Sequence, residues 1–144
     1  MHRSKKIQLL LCVALLAVAA SCRAKDAHTT AGTAGVRVTD VTLGRSVGGD
    51  KAITDRTDTF KPNDTIYASV ATDGAAPSAI LRAKWSFQDG QLVNESTRTI
   101  APVNKERTEF HIAKPDGWPA GKYKLEVFLN DQSAETKSFD VSGS

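Results

Sequence analysis

"GKYKLEVFLN", residues 121–130, decides the fold. Tyr123, Leu125, Val127 and Leu129 alternate with Lys122, Lys124, Glu126 and Phe128. In an extended chain successive side chains point to opposite faces, so this period of two describes a half-buried strand. "ILRAKWSF", residues 80–87, repeats the pattern, with Leu81, Ala83, Trp85 and Phe87 on the inner face. "DTIYASVAT", residues 64–72, does so with Ile66, Ala68 and Val70. "ERTEFHI" places Thr108, Phe110 and Ile112 inward, and "KSFDV" places Phe139 and Val141 inward. "VRVTDVTL", residues 36–43, slips phase between Val38 and Val41, which predicts a bulge or a change of sheet.

Turn residues separate these runs. Asp89-Gly90 is the strongest two-residue hairpin candidate, because both positions accept positive φ. Asn130-Asp131 is a weaker one. Pro62-Asn63-Asp64 and Ala75-Ala76-Pro77-Ser78 mark two further boundaries. Residues 91–102 are not assigned to a sheet by pattern, a crossing from one sheet to the other being open for them, and no stretch has a convincing helical period. The expected fold class is all-β: an antiparallel sandwich of about seven strands over residues 36–144.

The chain resembles immunoglobulin-like and fibronectin-III-like domains over about Val36 to Val141. Trp85 stands on the third main strand, where that fold carries a central Trp. "PAGKYKLEV", residues 119–127, resembles the tyrosine-corner segment, with Tyr123 two residues before the inward Leu125. Antibody domains have a Cys at that inward position, so the resemblance implies the architecture without its disulfide. It implies no activity.

The amino-terminal segment is of another kind. His2, Arg3, Lys5 and Lys6 precede an apolar run from Ile7 to Ala20, interrupted only by Gln8. That run is shorter than the roughly 20 residues a membrane span needs and fits the core of a secretion signal. "AASC", residues 19–22, resembles a bacterial lipobox, in which a cysteine thiol receives diacylglycerol before cleavage ahead of it. Leu is usual where Ala19 stands. The resemblance implies a lipoprotein signal peptide over 1–21, lipidation (palmitate among the acyl chains) of Cys22, and a mature chain that starts there. Arg23 rather than Asp follows, which by the enterobacterial sorting pattern implies the outer membrane and its periplasmic face. Inner-membrane anchoring is one alternative, and a soluble periplasmic chain cleaved after Ala19 is the other. Residues 22–35, "CRAKDAHTTAGTAG", are small and polar and read as the lipidated Cys and a flexible tether. As a random coil, 13 such residues span roughly 20 Å.

Processing changes the charge. Of 19 basic residues, Arg3, Lys5 and Lys6 leave with the signal, so 16 remain against 16 acidic ones. A formally neutral mature chain has no electrostatic reason to bind nucleic acid. Cys12 also departs and Cys22 carries lipid, so the domain is expected to hold together by its core alone.

Catalytic and metal patterns are weak. Gly44-Arg45-Ser46-Val47-Gly48 matches G-x-S-x-G, but the residues after it build no amphipathic helix, and His111 is the only later histidine. A glycine-rich loop is the expected reading. Asp50, Asp55 and Asp58 read as solvated charges of one long loop from Gly44 to Phe60. No enzyme, cofactor or metal is therefore expected. Possible partner-binding residues are Tyr67, Ile80 and Phe128, which fall on outward strand faces and would form one patch if they cluster, and Trp118 in "KPDGWPAG". Trp118 is expected either as a binding tip or as a plug in the open end of the core, its ring N–H on a carbonyl. The expected function is a membrane-anchored, non-catalytic module that binds a protein or an envelope polymer. A structural subunit of an envelope complex, or a hydrolase inhibitor acting through Gly44–Phe60, are the alternatives.

Overall fold

The computed structural model describes residues 35–143. The expectations for the signal peptide, Cys22 and the tether up to residue 34 lie outside the described residues.

Among the described residues nine strands form two sheets: β1 (Val36–Val47), β2 (Ile53–Arg56), β3 (Thr59–Phe60), β4 (Ile66–Gly74), β5 (Ala79–Phe87), β6 (Gln91–Ile100), β7 (Glu106–Ile112), β8 (Gly121–Leu129) and β9 (Gln132–Val141). One sheet has the order β2-β1-β4-β7 and the other β3-β9-β8-β5-β6. Six of these are the alternating runs read from the sequence, and β6 comes from the unassigned residues 91–102; β2 and β3 are additions from the segment expected as one loop. All pairings are antiparallel except that of β3 with β9, which is parallel.

The period-two runs pack as their patterns require. Ile66, Ala68, Val70, Leu81, Ala83, Trp85, Leu125, Val127 and Leu129 have no exposed surface. Burying such side chains is the main favourable term in folding. The phase slip in β1 is a bulge: its register with β4 shifts between Val38 and Asp40. Val36 and Val41 are thereby both buried, and β1 remains in one sheet.

A run of aromatic contacts crosses the core. Trp118 meets Tyr123 edge-on, Tyr123 stacks on Phe139 with centroids 5.3 Å apart, and Phe139 meets both Trp85 and Phe60 edge-on. The tyrosine corner is present: the Tyr123 hydroxyl donates to the Pro119 carbonyl at 2.7 Å. Burial raises the Tyr123 pKa. Replacing Tyr123 by Phe removes that part-buried bond, and water can reach the exposed Pro119, so a loss of about 0.5–1.5 kcal/mol is expected. Urea unfolding of both proteins measures it; equal midpoints would mean the bond contributes nothing.

The two hairpins exchange the roles expected of them. Asn130 and Asp131 both adopt positive φ (49° and 65°) in a two-residue loop, with Leu129 paired to Gln132. This is the turn whose twist suits adjoining strands. After β5 the loop has three residues, because Phe87 pairs with Gln91, and positive φ falls on Gln88 and Gly90 rather than on Asp89. The Gln88 N–H donates to the Lys122 carbonyl at 2.8 Å, which draws Gln88 toward β8 and lengthens the loop.

Residues 91–100 form β6, the outermost strand of the five-stranded sheet. It does not cross to the other sheet.

Candidate functional site

The segment Gly44–Phe60 is mostly strand, contrary to the loop expected. Gly44 to Val47 continue β1 and pair with β2, through register shifts at Gly44/Ser46 and Ser46/Val47. Gly44 is needed there, since a Cβ would collide with the Asp55 carbonyl oxygen. Ser46 is thus a strand residue whose hydroxyl shares a 2.6 Å hydrogen bond with that of Thr54. The turn after β1 folds back over the four-stranded sheet, and the Lys51 carbonyl accepts the Ser69 hydroxyl at 2.6 Å. Asp55 lies within β2, while Asp50 and Asp58 lie in the turns on either side of it. Among the described residues, no group of three or more His, Asp or Glu side chains is placed to hold a metal ion.

Trp118 is 7% exposed and belongs to the core. Its ring N–H donates to the Asp64 carbonyl at 3.0 Å, and its backbone N–H to the Pro62 carbonyl at 2.7 Å. The corner before β8 therefore packs on the turn that follows β3. Arg45 reinforces that turn, donating through Nε to the Asp64 carboxylate at 2.9 Å. Burial pushes the Asp64 pKa up, but the Lys61 N–H and the Arg45 guanidinium outweigh it and leave it lowered.

Tyr67, Ile80 and Phe128 do not form one patch. Ile80 (43% exposed) and the half-buried Phe128 share the outer face of the five-stranded sheet. Arg82 lies between them. Its guanidinium carbon is 4.0 Å from the Phe128 ring centroid, and its NH groups face Glu95 at 3.4 Å and Asp131 at 3.5 Å. Tyr67 is on β4 in the other sheet, 5.4 Å from the His111 ring. The outer faces of two packed sheets look in opposite directions, which is why alternation alone could not join these residues.

A concavity lies elsewhere. It is a cleft of about 560 Å³ on the side of the sandwich where β6 of one sheet and β7 of the other both end their sheets. Leu92, Val93, Pro115, Trp118 and Pro119 give it apolar walls, with Asn94, His111 and Lys114 at its polar positions. Leu92 is 57% exposed. His111 Nδ1 is 2.6 Å from the Glu109 carboxylate. A second, smaller depression of about 350 Å³ lies farther along the same two strands, lined by Lys51, Arg98, Arg107 and Glu109 among others. Sequence reasoning did not find this cleft. Leu92 and Val93 sit in a strand that is polar on both faces and so has no hydrophobic period to detect.

No protein-family model matches the sequence, and no curated protein matches it. Solved structures do resemble the fold. An immunoglobulin-like protein from Pseudomonas aeruginosa is similar over 74% of this chain and 96% of its own, with 18% identity and a TM-score of 0.52. A CARDB domain from Pyrococcus furiosus, solved with di-metal ions, is similar over 73% of this chain and 88% of its own, at 16% identity and a TM-score of 0.41. An alkylpurine DNA glycosylase from Pseudomonas fluorescens, bound to DNA containing an abasic site analogue, is similar over 74% of this chain and 30% of its own, at 13% identity and a TM-score of 0.47. The first likeness shows the fold: this is an immunoglobulin-like β-sandwich. The other two carry no argument.

Proposed function

We propose that this immunoglobulin-like domain is the binding module of a bacterial envelope lipoprotein, without catalytic activity. Its signal peptide spans residues 1–21 and Cys22 carries the lipid. The acyl chains hold it at the outer membrane, facing the periplasm, and the tether lets the domain reach a partner near the bilayer. The lipobox resemblance supports the anchor.

The observation that carries the binding reading is the open cleft between β6 and β7. It combines exposed apolar side chains, two strands that are sheet edges among the described residues, and polar groups at the rim. Concave, partly apolar surfaces of this kind are where ligands and partners seat. His111 pairs with Glu109, and the Ser46 hydroxyl with that of Thr54, so these groups have structural neighbours of their own.

Site-specific photo-crosslinking in cells tests the proposal. Crosslinkers at Leu92 and Lys114 of the acylated protein are expected to give one discrete adduct. A crosslinker at exposed Ser138 on β9 is expected to give none. Absence of any adduct from the cleft, or the same adduct from Ser138, would remove the cleft as the binding site.

A further inference from the structure

We infer that the cleft takes an extended, acidic segment of a partner polypeptide as an added strand on β6; this deepens the binding reading above and rests on it. β6 is ten residues long and, among the described residues, pairs with β5 on one side only, so every second N–H and C=O along it has no strand partner there. At about 3.3 Å per residue, that is roughly 33 Å of open template. Main-chain bonds to such an edge supply affinity, and pockets for alternate side chains supply selectivity.

The opposite side of the sandwich is guarded. β3 covers the end of β9 at Asp140 and Val141. Along the rest of β9, Glu135 and Lys137 stand opposite the inward Val127 and Leu125, so their charges line the gap between the sheets. Inward charges of this kind discourage strand addition. β6 shares part of this protection: opposite the inward Leu81 it carries Arg98, and it is bulged between Leu92 and Asn94. Opposite Ala83 and Trp85 it carries the uncharged Ser96 and Asn94. Such an edge resists indiscriminate pairing, and a strand that brings a carboxylate to Arg98 offsets the inward charge. Selection then falls to the cleft beside it, where Leu92, Val93, Pro115 and Trp118 can seat an apolar side chain.

Charge identifies the occupant further. Lys51, Arg98, Arg107 and Lys114 line the two depressions, and among the described residues none of them is in an ion pair. The carboxylates there are Glu106 and Glu109, the latter hydrogen-bonded to His111. Four cations against two carboxylates favour a strand that carries Asp or Glu beside its apolar residues. Complementary charge of this kind sets partner choice and register.

A ten-residue peptide alternating valine with glutamate is the probe, with its valine–lysine counterpart as control. Both are titrated against the full mature chain in detergent at low salt. The glutamate peptide is expected to bind at least ten-fold more tightly and to slow amide exchange along residues 92–99. The double variant Arg98→Glu, Lys114→Glu is expected to reverse the preference. Equal affinity for both peptides, no binding of either, protection confined to β2 or β7, or self-pairing of β6 without peptide would each overturn the inference. If these results fail while the in-cell adduct at Leu92 persists, strand addition is wrong and the binding cleft stands. Loss of both removes the broader reading as well.

Discussion

Replacing Trp85 by alanine is expected to lower folding stability by about 3–5 kcal/mol, the usual cost of removing a large aromatic side chain from a packed core. Trp85 has no exposed surface and sits in the second half of β5, paired on one side with Leu125 of β8 and on the other with Asn94 of β6. Its ring meets Phe139 edge-on, with centroids 5.9 Å apart. Phe139 in turn meets Tyr123 and Phe60, so the cavity would open against a ring on which two others pack. A typical domain is stable by about 5–15 kcal/mol, so this one change removes a large share. Trp85→Phe is expected to cost clearly less. It keeps an aromatic ring and removes an indole N–H that is buried without a hydrogen-bond partner. Urea unfolding of the three proteins measures the series. A loss below about 1 kcal/mol for Trp85→Ala would mean the core does not close around this residue.

The second large effect is expected at Cys22. If its sulfur carries the lipid, Cys22→Ser abolishes incorporation of labelled fatty acid altogether. Each buried CH₂ contributes about 0.8 kcal/mol to membrane affinity, and a single acyl chain binds only marginally, so stable anchoring requires more than one chain. Incorporation of label is the deciding measurement, because an unprocessed precursor would keep its apolar leader and could remain with the membrane for that reason. Protein cleaved after Ala19 instead would appear in the soluble fraction. The domain itself is expected to unfold at the same urea concentration, since the nearest described residue, Gly35, is 13 positions away. Unchanged labelling of the Ser variant would refute the proposed anchor.

Inward faces were legible because alternation is a local property. Leu81, Ala83 and Trp85, or Tyr123, Leu125, Val127 and Leu129, declare their face by their own spacing, and burial follows. The tyrosine corner was legible for a similar reason: the hydroxyl reaches a carbonyl only four residues back. The bulge in β1 announced itself as a phase slip. The turns were legible as turns but not in type. Asp89-Gly90 has the better sequence for a two-residue loop, yet a backbone bond from Gln88 to Lys122 on another strand sets the loop length.

What the chain alone determined is therefore the set of side chains that leave water: two strand faces, a central Trp and a Tyr corner specify a sandwich whatever its neighbours do. The tertiary structure decided which strands lie at an edge and which surfaces come together. β6 is polar on both faces, and β2 is a short strand with exposed side chains, so both are placed by backbone pairing, which no side-chain pattern reports. The cleft exists because β6 and β7, strands from different sheets, finish on the same side. The separation of Tyr67 from Ile80 and Phe128 has the same origin. Hydrophobic alternation encodes inside against outside along one strand, whereas edges and concave surfaces arise from the order in which strands hydrogen-bond to one another.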